Sequence, residues 1–375
     1  MNTTSSTSSL GFANLQYVQE LGKGSFGSVV LAIDADSNQL VAVKKLPRAS
    51  VQSRYTESEL INHSLLRHPH IVKFHKAFLS PSHLNIVMEY VPDGSLLTHI
   101  QNNRALCEDK ARWLFQQLIF AVDYCHRKGV ANRDIKLDNI LLDSSSHGKR
   151  DWPILKICDW GYAKHDAKSI AKSRVGTVAY MAPEVLQSKT YDGKTADLWS
   201  CGVVLYAMLV GGMPFKNIDG ANLGKSLLKL LDDMRGQRFA FPSSLSAPAR
   251  DLVTRLLCPE PQKRITIAEV MRHAWFASGL PPSALTMNDA YLKLQRMCAQ
   301  TEDEIQAIVK RAAMGPEARD ASVGSCSSNA TTYTAAVAAA AAAAAAAKGC
   351  TGHSARADAR SLARQAPELL QVLSR

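Results

Sequence analysis

Asp134, Lys136 and Asn139 stand close together in the stretch Asn132-Arg133-Asp134-Ile135-Lys136-Leu137-Asp138-Asn139. A carboxylate here can accept the proton of an attacking hydroxyl. A lysine can neutralise a moving phosphoryl group, and an amide oxygen can bind Mg2+. A second metal carboxylate follows in Asp159-Trp160-Gly161, and Ala182-Pro183-Glu184 closes the segment behind it. Any one of these is often just a surface charge or a turn. In this order and spacing they point to phosphoryl transfer from a nucleotide to a hydroxyl.

The phosphates need a cradle, and Gly22-Lys23-Gly24-Ser25-Phe26-Gly27-Ser28-Val29 supplies one. Glycines let the backbone turn sharply and approach phosphate oxygens closely. A dinucleotide-binding loop would run straight into a helix. Here Val29, Val30, Leu31 and Ile33 continue as a strand, which excludes that reading. Val41-Ala42-Val43-Lys44 follows as the next strand, with Lys44 placed to hold the α and β phosphates. A lysine ending a strand is often just a solvated edge residue; Glu59, on the helical segment after it, and the motifs downstream favour the functional reading. Gly224-Lys225-Ser226 imitates a P-loop, but Gly220 is one residue too close to Gly224 for that motif.

These groups must be positioned by elements that the sequence also outlines. Strands are expected at Ser28–Ile33, Leu40–Lys45, Ile71–Phe78 and Leu84–Glu89, with a helix over Tyr55–Leu66. From Leu96 onward helical periods dominate, including Lys110–His126 and Asp197–Val210. A β-rich part and a larger α-rich part, joined by Tyr90-Val91-Pro92-Asp93-Gly94, predict two lobes and a hinge. The expected division is a disordered N-terminus over 1–14, a domain over 15–276 (small lobe 15–90, large lobe 91–276), a helical extension over 281–314 and an Ala-rich disordered tail over 315–375. The tail contains an unbroken Ala run from Ala338 to Ala347, which favours helix but offers no side chains for a core. Thr301-Glu302-Asp303-Glu304 reads as a capping box. Ile305, Ile308, Val309 and Ala312 then make one apolar stripe that needs a surface to cover.

With 375 residues, 46% of them hydrophobic, there is material for a sizeable core. The net charge of +11 is spread along the chain, so no nucleic-acid partner is expected. Eight scattered cysteines form no C-x-x-C pair and fit a reducing compartment. The Ser/Thr-rich start is neither a signal peptide nor a myristoylation site. The apolar run Cys201–Met213 is too short to span a bilayer, so no membrane association is expected. The reading is a soluble monomer located in the cytoplasm, the nucleus or both.

Over residues 17–276 the chain resembles a eukaryotic protein kinase domain. Within that class it is most similar to the plant and green-algal SnRK2 family, the sucrose-non-fermenting-related kinases of subgroup 2. The residues carrying this are Glu59-Leu60-Ile61-Asn62-His63, Leu66-Arg67-His68-Pro69, Leu155-Lys156-Ile157-Cys158-Asp159, Gly161-Tyr162-Ala163-Lys164 and Tyr191-Asp192-Gly193-Lys194-Thr195-Ala196-Asp197-Leu198-Trp199-Ser200. The resemblance implies an α+β bilobal protein kinase fold and a serine/threonine kinase that uses ATP and Mg2+ on protein substrates. Asp134, Lys136, Lys44 and Glu59 would be catalytic, with Asn139 and Asp159 holding the metal. ATP would be bound by Leu21, Gly22, Lys23, Gly24, Ser25, Phe26, Gly27, Val29, Ala42, Lys44, Met88, Glu89, Val91 and Leu141. Lys136 and Thr177 mark serine/threonine specificity, and Arg264 would pair with Glu184. The 301–313 helix would correspond to the SnRK2 box and brace the helix carrying Glu59. Stress or nutrient signalling, and an upstream kinase or phosphatase acting on the activation loop, are implied by the same likeness.

Three departures matter. Asn132 stands where kinases usually have His, and Trp160 where Phe is usual; both are expected to pack in the spine joining the lobes, beside His63 and Phe74. They motivate the alternative of a pseudokinase scaffold with weak or no transfer. Ser95 occupies a position after the hinge where related kinases that favour basic substrates often carry Glu, leaving Asp138 as the nearby carboxylate. Ser173 is the expected activation-loop phosphosite, with Arg133 and Lys164 as its cationic partners and Ser169 as a second candidate. Cys158 is expected on the floor of the ATP pocket, either as a reactive thiol or as an inert buried one.

Overall fold

β-Branched and aromatic residues in alternation build a sheet from the first part of the chain. The computed structural model describes residues 14–24, 27–51, 53–145, 152–160, 178–188, 190–215, 223–294 and 300–314. Five strands, β1 (Leu15–Gly24), β2 (Gly27–Asp34), β3 (Gln39–Pro47), β4 (Phe74–Leu79) and β5 (His83–Glu89), pair antiparallel in the order β1-β2-β3-β5-β4. The register sets Val29 opposite Lys44, and Met88 opposite both Ala42 and Phe74. Helix α1 (Ser53–Leu65) follows β3. The strand expected from Ile71 starts only at Phe74. Ile71 and Val72 instead reach across to the large lobe, where the Val72 N–H donates to Ile157 O at 2.9 Å.

The larger part is helical. It contains α2 (Leu96–Asn103), α3 (Glu108–Arg127), the hairpin of β6 (Ile140–Asp143) and β7 (Ile154–Ile157), α4 (Pro183–Gln187) and α5 (Gly193–Val210). Helices α6 (Leu223–Arg235), α7 (Ala247–Leu256), α8 (Ile267–Arg272) and α9 (Ala274–Ala277) complete it. Helix α5 is apolar nearly all round and is buried accordingly. Asp192 caps its start, and its end is closed by Gly211 at φ 76°, where an added Cβ would meet Ala105 N at 2.8 Å. Ser95 caps α2 by accepting from the Thr98 N–H, which gives that residue a local structural role. The Arg264 side chain, fully buried, donates to both Glu184 oxygens at 2.7 and 2.9 Å and lies over the Trp199 ring. The two-lobed α+β arrangement agrees with the expectation. No helix among the described residues is long and apolar enough to cross a membrane.

Two further helices, α10 (Met287–Lys293) and α11 (Glu302–Ala313), follow the large lobe. Asn288 of α10 is buried; its amide donates to Phe120 O and Asp123 on α3, and its oxygen meets His68 Nε2 at 3.0 Å. Helix α11 starts with the Thr301–Glu304 capping box and lies against α1, β4 and β5. Ile305, Val309 and Ala312 are fully buried there, while Ile308 is half-buried. Arg48 donates to the last carbonyls of α11, Arg311 O and Ala312 O. The Gln300 amide exchanges two hydrogen bonds with the Ala77 backbone on β4, at 2.7 and 2.8 Å.

Candidate active site

The catalytic stretch lies between α3 and β6, in a loop that ends with a 3-10 turn over Leu137–Asn139. It is held from below by Asp197, an almost fully buried acid on α5. Asp197 accepts from the Asn132 N–H at 2.9 Å, the Arg133 N–H at 2.7 Å and His126 Nε2 at 2.8 Å. Arg133 adopts φ 63°, a left-handed conformation that a non-glycine residue keeps only when its surroundings hold it. Asp197 therefore shapes the loop that presents Asp134. Sequence reading gave it no role, although an acid within so apolar a helix was a usable signal.

Asp134 is 7% exposed. Its carboxylate accepts from Lys136 Nζ and from Asn139 Nδ2, both at 2.8 Å. Burial acts to lower the Lys136 pKa, but the charge and hydrogen bond of Asp134 outweigh it and leave it raised. Asn139 also donates to Asp134 O at 2.9 Å, and its amide oxygen makes no hydrogen bond among the described residues. From the small lobe, Lys44 Nζ reaches both Asp159 oxygens at 3.2 Å. The Cys158 N–H donates to Asn139 O at 3.0 Å, joining the Asp159 end of β7 to the catalytic loop.

Above this group, β1 and β2 meet as a hairpin with Gly24 opposite Gly27. No helix follows, so the dinucleotide reading stays excluded. Only glycine fits at 27: φ is 144°, and an added Cβ would sit 1.9 Å from Lys45 O. Leu21, Gly22 and Lys23 are exposed, Val29 and Leu141 half-buried, and Ala42, Met88 and Val91 buried. Ser25 and Phe26 lie outside the described residues, as do Gly161, Lys164, Ser169, Ser173 and Thr177. Glu59 falls on α1, but its side chain is not among those described, so the expected Lys44–Glu59 pair has no geometry here.

A protein kinase domain matches residues 15–276. The chain is 44% identical to the serine/threonine-protein kinase SRK2E of Arabidopsis thaliana, over 80% of this chain and 82% of the relative. It is 42% identical to the rice serine/threonine-protein kinase SAPK1 (79% of this chain, 86% of the relative). With the serine/threonine-protein kinase SRK2A of the moss Physcomitrium patens it shares 42% identity (79% and 84%). The chain belongs to the protein kinase family, in its SnRK2 group of serine/threonine kinases. Kinases of this family act on protein substrates and use ATP with Mg2+.

In this kinase the two unusual residues part company. Trp160 packs as expected, with its ring 5.9 Å from His63, which lies 5.6 Å from Phe74. Asn132 instead uses its amide locally, donating to Asp159 O at 2.8 Å and accepting from the Asp134 N–H at 3.1 Å. It thus ties the catalytic loop to the metal-motif backbone. Burial, aided by the Asp159 charge, pushes the Cys158 thiol up to about 12, so it stays protonated. No observation favours a scaffold without transfer.

Proposed function

We propose that the chain moves the γ-phosphoryl group of ATP onto serine or threonine hydroxyls of proteins with the residues gathered here. The observation that carries this is the linked set Lys44–Asp159 and Asp134–Lys136–Asn139, which joins the sheet to the catalytic loop at one place. Asp134 accepts the hydroxyl proton, and its bonds to Lys136 and Asn139 fix the direction of its carboxylate. Lys136 offsets charge on the transferring group, and Lys44 holds the α and β phosphates. The Asn139 amide oxygen and the Asp159 carboxylate are hard oxygen donors that suit Mg2+, a cation usually held by one or two protein ligands plus substrate phosphates. When bound, Mg2+ supplies positive charge against the phosphate oxygens. Glu59 is the proposed partner of Lys44 in the active arrangement.

The adenine is proposed to lie between Val29, Ala42 and Leu141, with Met88 behind it and the Glu89–Val91 backbone beside it. Leu21, Gly22, Lys23, Gly24, Ser25, Phe26 and Gly27 cover the phosphates. Val91 is buried, yet neither its N–H nor its C=O takes part in a hydrogen bond among the described residues. Backbone groups that no strand or helix uses can pair with the adenine edge. Activation by phosphorylation at Ser173, control by an upstream kinase or phosphatase, action in stress or nutrient signalling, a monomeric state and a cytoplasmic or nuclear location belong to the same proposal. The test is a phosphoryl-transfer assay with labelled ATP and Mg2+, comparing wild type with Asp134→Ala. Equal turnover would overturn it.

A further inference from the structure

Glu89 ends β5 at the start of the hinge, and its carboxylate faces away from the proposed nucleotide contacts. One oxygen accepts from the Lys73 N–H at 3.1 Å, while the Glu89 N–H donates to Lys73 O at 2.9 Å, closing a ring between β5 and the residue before β4. The other oxygen meets Lys156 Nζ at 2.9 Å. Lys156 lies on β7 of the large lobe, paired with Leu141 on β6. At the far end of the hinge, the Asp93 N–H donates to Leu142 O and the Leu142 N–H to Gly94 O. The hinge is therefore fixed at its exit by backbone bonds; at its entry Lys73 holds Glu89 within the small lobe, and Lys156 ties the Glu89 carboxylate to the large lobe. Between those anchors lie Tyr90, Val91 and Pro92, with the Val91 backbone groups making no hydrogen bond among the described residues.

We propose that Lys156 is a positioning residue for adenine recognition: through Glu89 it sets the hinge backbone that reads the base. This rests on the proposed adenine site at Glu89–Val91. The pair is well placed for the task. The Lys156 side chain is 13% exposed and that of Glu89 30%, so removing the lysine takes the paired cation away from a half-buried carboxylate and frees it to turn. Lys156 also shares β7 with the residues leading to Asp159, so the strand that carries it is fixed by the catalytic centre itself. A shift of a few tenths of an ångström in the Val91 N–H or the Glu89 C=O weakens hydrogen bonds to the base, since these bonds are steeply directional. It leaves Asp134 and Lys44 untouched.

The experiment measures KM for ATP and for GTP, and kcat with each, in wild type, Lys156→Met, Lys156→Arg and Glu89→Gln. GTP presents a different hydrogen-bonding edge to the same hinge, so it reports on base reading separately from phosphate binding. Lys156→Met and Glu89→Gln should raise KM for ATP roughly three- to tenfold, the range of one weakened hydrogen bond. Both should narrow the preference for ATP over GTP, kcat of Lys156→Met should stay close to wild type, and Lys156→Arg should restore the preference. If wild type prefers ATP and both Lys156→Met and Glu89→Gln keep that preference unchanged, the positioning role is overturned while the hinge site stands. If wild type itself shows no preference for ATP, the adenine site is misplaced and the proposal falls with it. Should Lys156→Met fail to fold, Glu89→Gln decides alone, because it keeps the acceptor for Lys73 N–H and removes only the charge.

Discussion

Lys44 on β3 and Asp159 behind β7 meet with Nζ 3.2 Å from both carboxylate oxygens, so the sheet and the metal motif are joined by a direct ion pair. The pair brings the cation proposed to hold phosphates next to the anion proposed to hold Mg2+. Lys44→Arg and Asp134→Ala should each remove nearly all transfer. Loss of a positioned acid/base group alone is worth about 10²–10⁴ in rate. Asp134→Ala should keep a cooperative melt, since Lys136 and Asn139 can turn to water or to a nucleotide. Steady-state assays and a thermal melt check both halves; near wild-type turnover of Asp134→Ala would remove the assigned role.

Acid should weaken the fold before it titrates the carboxylates. His63, held by Val72 O, is lowered to about 4 and His68 to about 3, in each case chiefly by burial. His70, also buried, is lowered to about 4. Near its ordinary value of about 6.5 a histidine in the unfolded chain begins to bind a proton that the folded one refuses. Stability therefore falls as pH drops from about 6.5 towards 4, and the folded histidines take up protons only below that. Melting temperature against pH should show this slope, and His63→Gln should flatten it. An unchanged slope in His63→Gln would mean that other groups carry the acid sensitivity.

The extension should be required for full activity. Ile305 and Val309 are fully buried against the sheet and α1, and Arg48 holds the end of α11. Ile305→Asp with Ile308→Asp places charge in that seam, and truncation after Gly279 removes α10 and α11 altogether. Both should lower the melting temperature by several degrees, the first because a buried unpaired charge costs several kcal/mol and the second because the apolar face of α11 no longer covers the sheet and α1. Both should also cut activity, because α1 carries Glu59. Wild-type activity and melting in both variants would instead assign the stripe to a partner.

Ser173→Ala should be much less active than wild type. A phosphate there adds about −1.5 to −2 charges, and Arg133 and Lys164 are its proposed cationic partners, a pairing that would order the segment before Glu184. Phosphopeptide mass spectrometry of active enzyme, alongside Ser173→Ala and Ser169→Ala, separates the two serines. Full activity of Ser173→Ala would remove this switch.

Cys158 should resist mild alkylation at neutral pH with and without ATP, because a thiol pushed up to about 12 holds almost no thiolate there. Labelling of Cys158 that ATP blocks, read by mass spectrometry, would restore the reactive reading.

Much of the fold was legible because its signals are local. The glycine loop, the strand through Lys44 and the periods of α3 and α5 each lie within one short stretch, and Thr301–Glu304 announces its own helix start. The charged centre was legible for the same reason, since Asp134, Lys136 and Asn139 share one loop. What was not legible depends on residues far apart in sequence. Asp197 acts on Asn132 and Arg133, Asn288 on His68, and Lys156 on Glu89, and no spacing rule connects them. The start of β4 was misplaced on similar grounds: Ile71 and Val72 are apolar and strand-like, but their pairing belongs to β7.

Gln300 exchanges two amide hydrogen bonds with Ala77, and β4 is an outermost strand of the five-stranded sheet. A side-chain amide there occupies the N–H and C=O that a foreign strand would use, and α11 covers the same border. An unguarded border of this kind is a template for strand addition by other molecules. A shortened chain that ends before Gln300 therefore loses more than a brace for α1. It uncovers a sticky seam, and its self-association should grow with protein concentration even where the remaining kinase domain stays folded.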